Sequence, residues 1–386
     1  MSSYLIVGAG QQGIALGYFL GKFSGTEDTE IGFIDKDGSK TANAIFKLND
    51  LLSDKENVGL LALSENLLKN STELKKFNVL ISALPSRFNL AMTKIAMEAN
   101  INYCDYGFHE DIVRQQKSEF DSRAKAWGLS AILNCGIEPG LAYNIALGVA
   151  RELKPDTVRV YVGGNPINPQ VNTLQYQKAF DGVAYEYSSK VTVLEKGQLI
   201  KKEVPSELEE FLLLTENGPG KLTAFFAQTS FGLVAESLRK IGVVNASAKT
   251  IRWPNHYTII RAISELGLFN EEPIEIDNTS VSPLKLMNHL LNNNLQWVEE
   301  DFLIMKIKFE KNGKLLKEVS MKILHNKETG LTAMQQATSA PVAVVAKLLA
   351  EKKLASGVYV QEEVLDYKYV MQELKKMGLR IGVTDF

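Results

Sequence analysis

Cysteine is nearly absent from this chain. Only Cys104 and Cys135 occur in 386 residues, and they stand far apart. Two such residues build neither a disulfide framework nor a thiolate metal site, and their scarcity fits a reducing compartment, so a cytoplasmic protein is expected. Histidine is almost as rare, with four in the chain, and no H-E-x-x-H, C-x-x-C or G-x-S-x-G pattern is present. That argues against zinc-protease and serine-hydrolase chemistry and leaves no expected metal. No stretch approaches the ~20 apolar residues of a membrane span. The first apolar run, Tyr4–Val7, is too short for the core of a signal peptide. Neither sign of charge dominates: 43 basic side chains face 45 acidic ones, for a net charge of -2. Nothing therefore draws the chain to nucleic acid or to an anionic membrane. Internal repeats and low-complexity segments are missing as well.

What is present is the ordinary composition of a folded protein, 45% hydrophobic and 23% charged, with length enough for two or three domains. Short apolar runs alternate with helical stretches over the first third. Tyr4–Val7, Ile31–Ile34, Val58–Leu61, Asn78–Ile81, Asn102–Asp105 and Ser130–Leu133 read as strands. The segments around 11–23, 39–52, 88–99 and 110–127 read as helices. Continuous apolar strands joined by helices predict a doubly wound α/β fold, a parallel sheet covered on both faces. After Asn134-Cys135-Gly136 the pattern changes. Val158–Val162, Val191–Leu194, Leu199–Val204, Asp301–Phe309 and Lys317–Leu324 read as strands, the last two as a hairpin through Lys311-Asn312-Gly313-Lys314. Between them lies a segment of about 166–190 rich in Asn, Gln, Tyr and Phe. This predicts an inserted α+β domain with an antiparallel sheet. From Thr332 the chain turns helical again, with Ser339 and Pro341 marking a helix start near Ala340. The expected organisation is 1–136, 137–330, and 331–386, the last packing back on the first.

The strongest motif is Gly8-Ala9-Gly10-Gln11-Gln12-Gly13, a G-x-G-x-x-G that follows a predicted strand and opens a predicted helix. That is the context of the Rossmann dinucleotide fingerprint. Gly8 permits the tight turn, Gly10 lets the backbone approach a pyrophosphate, Gly13 allows close helix–strand packing, and the helix start offers N–H groups to the phosphates. Gln11 and Gln12 lie in that first turn. Asp35 ends the second strand 22 residues after Gly13, where a carboxylate would bind a ribose 2′-hydroxyl and repel a 2′-phosphate. NAD is thus expected, with NADP as the alternative because Lys36 is adjacent. Further strand ends, Ser82-Ala83-Leu84-Pro85, Asp105 and Gly136, are candidates to line the cofactor path. The plainer reading of the first two is a turn and a cap.

The stretch Asn134-Cys135-Gly136-Ile137-Glu138-Pro139-Gly140-Leu141-Ala142-Tyr143-Asn144 resembles the G-L-D-P-G segment of the glutamate-forming saccharopine dehydrogenases. Tyr161–Pro166 and Thr250–His256 resemble stretches of lysine 6-dehydrogenases, and Thr329–Gln335 another segment of the same superfamily. The likeness runs along nearly the whole chain through short motifs. Three positions depart from it: Ala142 replaces an acidic residue, Tyr143 replaces a histidine, and Asn255 replaces a glycine.

The resemblance implies an NAD(P)-dependent oxidoreductase that acts on the C–N bond of an amino acid or amine. Hydride moves between the substrate carbon and the nicotinamide while a base takes the nitrogen's proton. On that reading Glu138 holds the substrate ammonium, Tyr143 hydrogen-bonds nearby, Arg252 anchors a carboxylate, and His256 is a general base. The bland alternatives are a helix cap for Glu138, packing for Tyr143, a salt bridge for Arg252 and a structural role for His256. A homodimer is implied by analogy with the superfamily. Two other functions stay open: a dinucleotide-binding regulatory protein without turnover, and an enzyme like homospermidine synthase that recycles bound NAD.

Overall fold

The computed structural model describes residues 1–168, 186–215, 218–294 and 300–386. Its contacts divide the chain into two units. One comprises Met1–Gly148, Lys327–Leu331 and Gln335–Arg380, the other Val149–Asn326, Thr332–Met334 and Ile381–Phe386. The expected first boundary at 136 therefore falls inside the first unit. Most of the residue 166–190 segment lies outside the described residues.

The first unit carries a seven-stranded parallel sheet. Its first six strands are β1 (Ser2–Val7), β2 (Thr29–Ile34), β3 (Val58–Leu63), β4 (Val79–Ser82), β5 (Asn102–Asp105) and β6 (Ser130–Leu133). A seventh, Gly357–Val360, arrives from the far end of the chain and pairs in parallel with β6. The spatial order is β3-β2-β1-β4-β5-β6 and then this late strand, which is the Rossmann order with one addition. The strands are continuous apolar runs because both faces are covered: Leu5, Ile6, Ile31, Phe33, Leu80, Ile81, Ala131 and Ile132 are all buried. The helices α1 (Gln11–Lys22), α2 (Gly38–Leu51), α3 (Ser71–Leu74), α4 (Asn89–Ala99), α5 (Glu110–Trp127) and α6 (Leu141–Leu153) follow in turn. The order reverses between β1 and β4, so their carboxyl ends form the crevice where such sheets bind ligands.

The second unit is built on a nine-stranded sheet. It is mostly antiparallel, but Thr157–Pro166 and Asn245–Arg252 run parallel at its centre. The hairpin of Asp301–Lys311 and Lys314–Leu324 forms as its turn chemistry predicts, with Lys311 opposite Lys314. Asn312 and Gly313 both take positive φ, 52° and 73°, the requirement of a type I′ turn. Three strands that the sequence reading does not identify, Ser206–Thr215, Gly218–Phe226 and Asn245–Arg252, complete the sheet together with the terminal Ile381–Asp385. The end of the chain is thus not purely helical.

The late helix starts at Ala333, not near Ala340, and runs to Ala350 with Pro341 inside it. Its first N–H groups are capped from a distance: Asp301 accepts from Ala333 N at 2.5 Å and Met334 N at 3.0 Å. Among the described residues, no helix is long and apolar enough to cross a membrane.

Candidate functional site

The glycine motif sits at the crevice between β1 and β4. Gly8 leaves β1 with φ of 110°, and a Cβ there would lie 2.6 Å from the carbonyl oxygen of Ala83. The β4 end and the glycine turn are thus in direct contact, joined also by Ala83 N donating to Val7 O at 2.8 Å. A Cβ on Gly13 would stand 2.0 Å from Gly8 O, so only glycine lets α1 pack this close to the turn. Gly10 is different. Among the described residues nothing lies within 4 Å of its missing Cβ, and the residue is exposed. The motif therefore has tight packing behind and open space in front, where the free N–H groups of α1 point. This arrangement fits a dinucleotide pyrophosphate.

Asp35 stands beside the loop. One carboxylate oxygen accepts Ala9 N at 3.0 Å and the other accepts Asp37 N at 3.0 Å. Each oxygen keeps acceptor capacity for a ribose hydroxyl. Ala83 and Leu84 are half-buried against the turn and Pro85 is exposed. Ser82, by contrast, is fully buried and donates its hydroxyl to Asn89 Oδ1 at 2.8 Å.

Asp105 is directed inward. It accepts from Tyr103 Oη at 3.0 Å, Gln116 Nε2 at 3.0 Å and Asn134 N at 3.1 Å. Burial pushes its carboxyl up, against these hydrogen bonds. It acts as a hub that fixes the start of the Asn134–Gly140 turn, and Cys135 N adds a bond to Asp105 O at 2.9 Å. Gly136 is buried in that turn, and Cys135 is a buried thiol bonded to Ile132 O, its pKa pushed up by burial.

From Ala131 to Leu147 every residue is buried except Glu138. Its carboxylate is the only acidic group that this apolar turn brings toward solvent, and Tyr143 Oη donates to it at 3.3 Å. Tyr143 and Ala142 are wholly buried. The structure thus brings Glu138 and Tyr143 together, with the tyrosine supporting the carboxylate from inside.

Arg252 and His256 belong to the second unit. The motif that carries both, Thr250–His256, and the Tyr161–Pro166 motif are neighbours there: Asn165 Nδ2 donates to Ile251 O at 3.2 Å and Asn165 Oδ1 accepts Trp253 N at 3.2 Å. A Cβ on Gly163 would stand 2.1 Å from Ile251 O, so that approach requires glycine. The carboxylate that Arg252 holds is the protein's own: its Nη2 lies 3.2 Å from Glu186 Oε2, and both side chains are buried, 6% and 7% exposed. His256 is 1% exposed, with Nε2 3.1 Å from Tyr187 Oη and its ring stacked on Phe225. Both residues are buried among the described residues of their unit. Asn255, just before, has φ of 74°. Asparagine is among the few residues that accept this left-handed conformation in place of glycine, so that departure preserves the backbone.

A cleft of about 250 Å³ opens at the amino ends of β1 and β2, lined by Ser2, Tyr4, Glu27, Lys347 and Glu351 among others. That is the opposite end of the sheet from the glycine turn. No group of three or more metal-ligating side chains occurs among the described residues.

The model of the saccharopine dehydrogenase C-terminal domain matches residues 132–379, nearly two thirds of the chain. The chain belongs to the saccharopine dehydrogenase C-terminal domain family. Its fold is that of the apo saccharopine dehydrogenase (L-Glu forming) from Saccharomyces cerevisiae, with a TM-score of 0.74 over 100% of both chains at 13% identity. Weaker likenesses include a meso-DAPDH mutant with DAP from Clostridium tetani E88 (TM-score 0.45, 13% identity, 97% of this chain and 99% of that one) and the C. glutamicum DAP dehydrogenase in complex with DAP (TM-score 0.43, 11% identity, 96% and 95%). The resemblance read from Asn134–Asn144 and the later motifs thus holds at the level of the family. The sequence reading missed Glu186 and Tyr187, the partners of Arg252 and His256. They lie 66 and 69 residues away in sequence, and no local pattern marks them.

Proposed function

We propose that this chain is a nicotinamide-dinucleotide-dependent oxidoreductase acting on the C–N bond of an amino acid or amine, with NAD as the favoured cofactor. The observation that carries the reading is the glycine turn at the switch point of the sheet, packed tight at Gly8 and Gly13 and open at Gly10. The α1 N-terminus would hold the pyrophosphate. Asp35 would accept the ribose hydroxyls, and its negative charge disfavours a 2′-phosphate. Bound nicotinamide supplies the hydride acceptor or donor. Glu138, the carboxylate that emerges from a buried turn, would hold the substrate ammonium and take its proton as the C–N bond is oxidised, with the Tyr143 hydroxyl fixing the carboxylate's orientation. Arg252, already paired with Glu186, is not assigned the substrate carboxylate, and buried His256 is not assigned the base.

The test is formation of NADH or NADPH at alkaline pH across lysine, ornithine, saccharopine, diamines and polyamines. A rate with one amine and a preference for NAD supports the proposal. Dinucleotide binding without turnover on any of them overturns the enzymatic part. It would favour a non-catalytic dinucleotide-binding protein, a reading to which the replacements at Ala142, Tyr143 and Asn255 lend support.

A further inference from the structure

The first turn of α1 is held from outside by three side chains of the first unit. Gln335 Nε2 donates to Gln11 O at 3.0 Å and to Gln11 Oε1 at 2.9 Å. Ser339 Oγ lies 2.7 Å from Gln12 Oε1 and 3.2 Å from Gln12 O. Tyr106 Oη lies 3.3 Å from Gln12 O and 3.0 Å from Ser339 Oγ. Gln335 and Ser339 are buried and sit one helical turn apart, four residues along the Ala333–Ala350 helix, so one face of that helix presents both.

These contacts go to unusual acceptors. A carbonyl in the first turn of a helix already accepts the N–H four residues on. Here the Gln11 carbonyl takes a further donor from the Gln335 amide, and the Gln12 carbonyl one from Ser339 or Tyr106, whose hydroxyls each donate a single proton. The Gln11 carbonyl shares its peptide group with the Gln12 N–H, and the Gln12 carbonyl with the Gly13 N–H. A donor on the oxygen polarises the whole peptide and strengthens its N–H as a donor in turn. Those two N–H groups are among the orphans of the helix start that face the open space before Gly10. The first turn of α1 contains no basic residue, so within that turn the positive potential for a pyrophosphate comes from dipoles.

We propose that Gln335, Ser339 and Tyr106 are positioning residues of the dinucleotide site, which set the orientation and donor strength of the Gln12 and Gly13 N–H groups through hydrogen bonds to the backbone behind them. This rests on the dinucleotide reading above. It assigns the late helix a task in cofactor binding although none of its side chains need touch the cofactor.

The experiment uses the full chain and the variants Gln335→Met, Ser339→Ala and Tyr106→Phe, with Ser339→Thr as the conservative rescue. Lys347→Met is the control, because Lys347 makes a similar side-chain bond, 2.9 Å to Phe23 O, just beyond the other end of α1. NADH affinity is measured by fluorescence titration, melting temperature without nucleotide, and amide exchange of residues 8–16 in the nucleotide-free protein. The expected result is NADH affinity at least about tenfold weaker in Gln335→Met and Ser339→Ala, with faster exchange at Gln12 and Gly13. Tyr106→Phe should weaken binding less, Ser339→Thr should restore it, and Lys347→Met should lower the melting temperature alone. Unchanged affinity in the three variants, or an equal loss in Lys347→Met, overturns the proposal while leaving the dinucleotide reading intact. Failure of the unsubstituted protein to bind NADH or NADPH overturns both.

Discussion

The hydroxyl of Tyr143 donates to Glu138 Oε1 at 3.3 Å from a ring that has no solvent exposure. A buried aromatic thus holds the one carboxylate that surfaces in the Ala131–Leu147 stretch. If Glu138 takes the substrate's proton, Glu138→Gln should lower turnover by about 100-fold or more, the usual weight of a general base. NADH affinity should be unchanged. Tyr143→Phe should give a smaller loss of turnover, and of stability by about 1 kcal/mol, since one hydrogen bond disappears. Steady-state kinetics beside nucleotide titration separates these effects. Equal loss of binding and turnover in Glu138→Gln would remove that residue from the chemistry.

Asp35 braces Ala9 N, and in the proposed function its charge meets the ribose. Asp35→Ser deletes the charge and one support of the glycine turn. The expected outcome is NAD affinity lowered about tenfold or more and NADP affinity raised, because the repulsion toward a 2′-phosphate is gone. Parallel titrations with both cofactors check this. A variant that loses affinity for both to the same degree would show that Asp35 serves the loop and not the ribose.

Arg252 and Glu186 form an ion pair with both side chains almost wholly buried. Removing one partner leaves a desolvated charge, so Arg252→Met should cost about 3–5 kcal/mol. The double variant Arg252→Met with Glu186→Leu should recover most of that loss. Urea denaturation of the single and double variants measures the coupling. If Arg252 were instead a substrate ligand, the single variant would keep its stability and lose substrate affinity.

What was legible in the sequence was local. Gly8, Gly10, Gly13 and Asp35 lie within one β-α-β unit, and Asn312-Gly313 specifies its turn by itself, so spacing and residue type sufficed. What escaped was held from afar. Gly357–Val360 is only four residues long and becomes a strand because β6 offers an edge. The helix beginning at Ala333 takes its cap from Asp301, 32 residues upstream, so Ser339 and Pro341 imitated a start that lies earlier. Arg252 and His256 were marked by their motif as polar residues of a site, yet burial and partners, which decide their roles, depend on tertiary contacts.

That remote cap also makes a pH-dependent prediction. Burial pushes the Asp301 carboxyl up to about 6, against the Ala333 and Met334 N–H groups and the charge of His325, which pull it down. An unfolded aspartate titrates near 3.9, so between these values the folded chain holds more protons than the unfolded chain. Stability falls with rising pH where that is true. The contribution is therefore fully present below about pH 4 and lost as pH rises through about 6, to a total on the order of 3 kcal/mol. Asp301→Asn cannot titrate. The stability of the natural protein minus that of Asp301→Asn should accordingly decrease from pH 4.5 to pH 7.5, as followed by urea denaturation. A difference that increases over this range would mean that the helix start stabilises the ionised carboxylate more than burial disfavours it, and the sign of the argument would be reversed.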